Sequence, residues 1–233
     1  MIFSKKALRV SAPRSSSLKI FPSFKNNIFD LIICTDNIEQ IIQQQKKDFR
    51  KINIINPFLG HYVSLCYSYC AITLSKLFID KEKRSLVKFL NKLENFDYDN
   101  ELKQLLINNT EKFNSGIKGE YDYLLKNKIE IKTKIEEVKK IIKESETIVN
   151  KIKLRRDSFY AHFDPEKIKN IEVESLSEIQ ELTAIAQKIY DIFFGGIKNS
   201  TFLFVNFWSI DKVLEFNIEY YDRITKEIEN LEK

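Results

Sequence analysis

The stretch Ile131–Phe163, IKTKIEEVKKIIKESETIVNKIKLRRDSFYAHF, decides how the rest of this chain is read. Numbered in heptads, its apolar seam runs Ile131, Ile135, Val138, Ile142, Val149, Ile152, Phe159 and Phe163. A second column reads Ile141 and Ile148, then continues to Arg155 and His162, and Arg156 falls on the seam itself. Residues three and four apart share one helix face, so this spacing predicts one long helix over about 120–163. Ser145 holds a seam position between Ile142 and Val149, which predicts a bend there. The residue before a proline is pushed out of helical conformation, so Asp164-Pro165 is the stop. Two arginines and a histidine on the face a helix should bury break a local rule, and such breaks mark functional sites.

Working outward, the pattern continues as helices. Ile28, Leu31, Ile32, Ile38, Ile41 and Ile42 predict a first helix over about 28–53, with Pro57 suited to the first turn of the next. Residues 58–79 are hydrophobic nearly all round, which predicts the most buried helix of the fold, with His61 in a structural place at its start. A polar break at 80–83 precedes a short helix carrying Leu86, Phe89, Leu90 and Leu93. Another short helix follows at 101–107, and 112–119 is the loosest stretch. Ser175-Leu176-Ser177-Glu178 is a capping box opening a helix to about Phe194, and a last helix spans about 210–232.

Five glycines and four prolines among 233 residues, with 43% hydrophobic and 30% charged residues, fit an all-α antiparallel bundle around one core. No run reaches the ~20 apolar residues a membrane span requires, so a soluble, cytoplasmic protein without membrane partners is expected. There is no internal repeat, Gly-rich phosphate loop, Cys/His cluster or Gly-x-Ser-x-Gly, so neither a cofactor nor a metal is expected. Cys66 and Cys70, four apart, share a helix face and read, with Cys34, as small core residues of a reducing compartment.

The net charge of +5 is unevenly placed. Lys5, Lys6, Arg9, Arg14, Lys19 and Lys25 stand in an opening segment with no acid; the remainder holds 32 basic against 33 acidic residues. A nucleic-acid footprint must therefore be a local patch. Residues 1–27 read as a flexible basic extension, with a composition also found in organellar presequences. The bundle proper is expected over 28–233.

The Arg–His group admits two readings. In the plainer one His162 caps the helix C-terminus, where the dipole favours an imidazolium, and the arginines form ordinary ion pairs. In the other they form a site. Arg155 and His162 lie seven apart, ~10 Å along the axis, and both side chains lean toward the N-terminus, so one helix hardly brings them together. Two copies meeting antiparallel about a two-fold axis would place each arginine near the other chain's histidine.

Arg156-Asp157-x4-His162 resembles the Arg-polar…His signature of the HEPN superfamily. Arg155-Arg156-Asp157-Ser158-Phe159-Tyr160-Ala161-His162-Phe163-Asp164 is similar to a phrase of its abortive-infection (AbiU-like) branch, as are Ala71–Asp80 and Ser85-Leu86-x-x-Phe89-Leu90. The resemblance spans about residues 30–200. It implies a HEPN-type bundle, a two-fold dimer, and metal-independent RNA cleavage in phage defence, abortive infection or stress response. His162 would then help deprotonate the ribose 2′-OH, Arg156 would stabilise the phosphorane, Asp157 would orient it, and Arg155 is a second candidate arginine. Lys151 and Lys153 would bind the RNA backbone, and an antitoxin protein would be a partner. One branch places a tyrosine two residues after the histidine as a nucleotidyl acceptor; here that place is Asp164. Many HEPN domains are catalytically inactive and bind nucleotide, RNA or a partner protein instead.

Overall fold

Phe24 packs edge-on against Phe89, which packs edge-on against Phe193, with ring centroids 5.5 and 5.9 Å apart. This aromatic chain runs through the main core of a computed structural model that describes residues 21–52, 55–82, 85–95, 100–160, 172 and 174–231. Among them all regular structure is helical. In chain order the helices are α1 (Phe21–Ile52), α2 (Asn56–Phe78), α3 (Leu86–Asn95), α4 (Asn100–Ser115), α5 (Lys128–Glu144), α6 (Glu146–Arg155), α7 (Leu176–Tyr190) and α8 (Asp211–Leu231). Two π-helical turns, Arg156–Tyr160 and Asp191–Gly195, extend α6 and α7, and a last helical turn covers Gly196–Lys198.

The expected boundary at residue 28 moves. Helix α1 begins at Phe21, and Phe24 is buried at 2% exposure, so 21–27 belong to the bundle and not to the extension. A single phenylalanine ahead of Ile28 was too sparse a signal to extend the apolar period. Near its other end α1 breaks at Asp48, whose extended backbone is non-helical; its carboxylate accepts from the Arg50 N–H and restarts the helix.

The long helix expected over 120–163 is divided. Residues 117–127 turn, and Asn127 caps α5 by accepting from the Ile129 and Glu130 N–H groups. Ser145 closes α5 and opens α6, at the bend its seam position suggests. Most of the apolar surface of this stretch is used within the chain. Ile131, Ile135, Val138 and Ile152 are buried, and Ile142, Ile148 and Val149 pack half-buried on the same core. Packing on α2, α3 and α7 does this, so the surplus that suggested a partner helix from a second copy is mostly absorbed.

Helix α2 packs on α1, α6 and α7, but it is not buried all round: Leu65, Phe58 and His61 are exposed. Its C-terminal half, from Cys66 to Phe78, supplies the core. Cys66 and Cys70 are buried and Cys34 is half-buried, all as thiols. Contact with Cys34, then burial, pushes the Cys66 thiol up, so it stays protonated and inert. Helix α4 runs eight residues past its expected end because Asn109, buried at 2%, donates toward the Leu125, Gly196 and Ile197 carbonyls. Gly196 admits that approach: a Cβ there would sit 2.9 Å from Leu125 Cγ.

No described helix is long and apolar enough to cross a membrane.

Two stability tests follow. Phe24→Ala should cost about 3–5 kcal/mol in urea unfolding, the usual loss for a buried phenylalanine; a cost under about 1 kcal/mol would leave the boundary at 28. The α7 capping box is formed, Ser175 Oγ accepting from the Glu178 N–H while Glu178 accepts from the Ser175 N–H. That backbone bond first, then Lys151, holds the Glu178 carboxyl below its ordinary value of 4.5. A depressed folded value contributes stability above the unfolded pKa that is lost as pH falls through the folded one. Ser175→Ala should therefore cost ~1 kcal/mol at neutral pH. Thermal midpoints should show Glu178→Gln flattening the decline below pH 4.5.

Candidate functional site

The α-helical period on which the seam was numbered ends at Arg155. From Arg156 to Tyr160 the backbone widens to a π turn, which adds a residue per turn and often accompanies functional sites. The widening brings two aromatic rings, four and five residues on, beneath one guanidinium. Arg155 Cζ lies 4.4 Å from the Phe159 centroid and 5.8 Å from that of Tyr160. The residues turned inward are Ile152, Arg155 and Ser158, while Arg156 and Phe159 are only half-buried. This corrects the heptad numbering, which set Arg156 on the seam.

Arg155 is thus part of the interior. Its Nε stands 3.6 Å from Glu174 Oε2, whose side chain is fully buried, and neither atom has a hydrogen-bond partner among the described residues. The other carboxylate oxygen accepts a 2.6 Å bond from the Tyr160 hydroxyl. Burial first, and then this bond, raises the Tyr160 hydroxyl well above the usual phenol range. Burial and the nearby Glu174 charge raise Tyr67 as well. The result is a closed polar cluster of Arg155, Tyr160 and Glu174, in which Arg155 neutralises a carboxylate.

Arg156 faces the other way. Its Nε donates to Asp157 Oδ1 at 2.7 Å, its Nη2 lies 2.7 Å from the same oxygen, and its Nη1 donates to Glu82 Oε1 at 3.2 Å. Glu82 sits just past α2, so this bond joins the α2–α3 connection to the end of α6. Asp157 therefore holds the guanidinium plane, the orienting contact implied for the residue after the arginine. Both carboxylates are partly exposed, and a phosphate could displace either.

The two lysines part company. Lys151 Nζ lies 2.9 Å from both Glu172 and Glu178, and these bonds, Glu178 first, raise its pKa. It is engaged by carboxylates, which argues against the phosphate contact expected of it. Lys153 is half-buried and makes no ion pair among the described residues. It lines a cleft with Val149 and Asn150. A roomier cleft of about 710 Å³, between the start of α5 and residues 191–201, shares no lining residue with the arginine turn.

His162 lies outside the described residues, as do Phe163 and the Asp164-Pro165 stop. Of the expected set the structure joins Arg156 to Asp157 and turns Arg155 away from them, and it adds Glu82 beside the first and Tyr160 and Glu174 beside the second, which the sequence did not single out. Among the described residues no three His, Cys, Asp or Glu side chains gather so as to hold a metal ion. Comparison with protein-family models, curated proteins and solved structures finds no match for this chain.

The different placement of the two arginines has a measurable consequence. Glu174→Ala strands a buried guanidinium and should cost about 3–5 kcal/mol. Arg156→Ala breaks only rim pairs and should cost under ~1 kcal/mol. Equal costs in urea unfolding would contradict this division.

Proposed function

We propose that this protein is a metal-independent RNA endonuclease of the HEPN type, acting as a homodimer in the cytoplasm in phage defence, abortive infection or stress response. The observation carrying this reading is Arg156: a half-buried guanidinium at the rim, held by its neighbour Asp157 and by Glu82, six residues before His162. In the reaction His162 takes the proton of a ribose 2′-OH. The 2′-oxygen attacks the adjacent phosphorus, and the bond to the 5′-oxygen of the next nucleotide breaks, that oxygen taking a proton from solvent to leave as a 5′-hydroxyl. Arg156 neutralises the charge that builds on the non-bridging oxygens, which is the role expected of a preorganised donor. Arg155 shapes the turn from inside. A second copy brings its histidine to this arginine, with exposed Leu154 offering apolar surface beside it.

A second reading has its own support, since two carboxylates already occupy Arg156. A HEPN-like domain that binds nucleotide, RNA or a partner protein without cleaving would look the same. An antitoxin partner belongs equally to both readings.

Purified wild type incubated with single-stranded RNA separates them. Cleavage should persist in chelator, because the arginine supplies the charge stabilisation, and products should carry 2′,3′-cyclic phosphate ends. His162→Ala and Arg156→Ala should each lower the rate by 10²-fold or more, with dimerisation by light scattering unchanged. Cleavage that survives His162→Ala would overturn the mechanism, and a monomer at tens of micromolar would overturn the composite site.

A further inference from the structure

Beside Arg156 lies a second feature that the cleavage chemistry does not use. The end of α2 and the start of α3 form one wall, and α5 and α6 the other, of a cleft of about 450 Å³. That volume falls within the usual range for small-ligand pockets. Its floor is apolar, from Phe78, Ile79, Val87, Ile142 and Val149. Its rim carries Asp80, Asn150, Lys143 and Lys153, among others. Lys139, also on the rim, is already paired with Glu94, whereas Lys143 and Lys153 make no ion pair among the described residues.

Arg156 and Glu82 do not line the cleft, but each stands within three residues of one that does. Val149 and Lys153 are four residues apart on one face of α6, and Arg156 follows three residues on, at the start of the π turn. On the facing wall Asp80 lines the cleft, and Glu82, two residues on, holds Arg156. The Glu82–Arg156 bond therefore bridges the two walls at one end. A ligand matching this layout has a flat, weakly polar body for the floor, edge groups for Asn150 and Asp80, and a phosphate for the end with Arg156 and Lys153. That is a nucleotide.

We propose that this cleft is the nucleotide subsite of the protein, taking one nucleoside of an RNA strand and placing its phosphate on Arg156 in the position Glu82 holds. The inference rests on the RNA reading above. It makes Glu82 a competitor that a phosphate must displace, so strands without a base to fill the floor gain little.

The test is binding of a short labelled single-stranded RNA, by fluorescence anisotropy, to the full chain carrying His162→Ala so that nothing is cleaved. Glu82→Gln should tighten binding on the order of tenfold, one charge-assisted contact, and the gain should vanish in Glu82→Gln/Arg156→Ala. Val87→Trp, which fills the cleft, should weaken binding on the order of tenfold or more. Lys153→Glu, a surface change that leaves the core alone, should weaken it too and reduce its salt dependence. A Val87→Trp protein with a lowered thermal midpoint is set aside, and Lys153→Glu decides. RNA binding that needs Arg156 yet ignores both Val87→Trp and Lys153→Glu overturns the subsite while leaving the cleavage reading intact. Binding that responds as expected in a wild type that cleaves nothing upholds the subsite and overturns the cleavage reading. Absence of binding overturns both.

Discussion

A carboxylate with no exposed surface is among the most costly groups a small bundle can hold, and Glu174 is such a group. Its charge is answered by Arg155, and one of its oxygens by the Tyr160 hydroxyl. Both partners lie at the end of α6, five residues apart, so meeting one carboxylate requires the backbone between them to take a particular form. The wide turn over 156–160 is that form. Once Arg155 is drawn inward, its neighbours Arg156 and Asp157 are left at the rim, where they pair with each other and with Glu82. A buried pair of this kind adds little net stability, because desolvation offsets most of the attraction. What it supplies is a fixed geometry for the residues beside it.

Buried asparagines serve the rest of the fold in a similar way. Asn37, on α1, donates to the Tyr62 hydroxyl and the Trp208 carbonyl, and accepts from the Ile210 N–H and from Asn206. It thereby pins residues 200–210, which have no helix of their own, along α1. Phe202 and Phe204 pack inward there, while Leu203, Val205 and Phe207 face out, the alternation of an extended chain. Asn109 ties α4 to Gly196, and Asn217 donates from α8 to the Lys51 carbonyl at the end of α1. Each amide satisfies backbone groups that would otherwise be buried without partners, and each joins segments far apart in sequence.

That distance explains what the sequence disclosed and what it withheld. Ser175 and Glu178 could be read as a cap because all the groups involved lie within four residues. Pro57 and the Ser145 bend were legible for the same reason. Asn127 with Glu130 is an equally local cap, and attention to it would have started the long helix at 128. By contrast, the wide turn depends on Glu174, eighteen residues beyond Arg156, and heptad counting assumes an unbroken period. The two arginines stood out in the sequence together, yet their separate placements were open, since neighbouring residues on one helix look alike until something beyond the helix claims one of them. Glu82 carried no signal in a polar break where any acid would serve.

The local charge makes sense of the rim. The chain beyond its basic opening segment is close to neutral, so if RNA is the partner, its attraction over a distance would be weak and would come from the few cations without an ion pair among the described residues. Lys151 is spent on Glu172 and Glu178, which fasten residues on both sides of the α7 cap to α6. Lys153, two residues on, makes no ion pair among the described residues, and Arg156 is held there by partly exposed carboxylates. An arginine left bare at the end of an apolar cleft would bind any anion. Pairing it with Glu82 sets a threshold, because a displacing phosphate must be strong enough in geometry and number of contacts to repay the broken pair. On the proposed reading selectivity would depend on the cleft as much as on the guanidinium, since the packing of α6 on α2 and of α5 on α3 sets the two walls that a strand would have to fit.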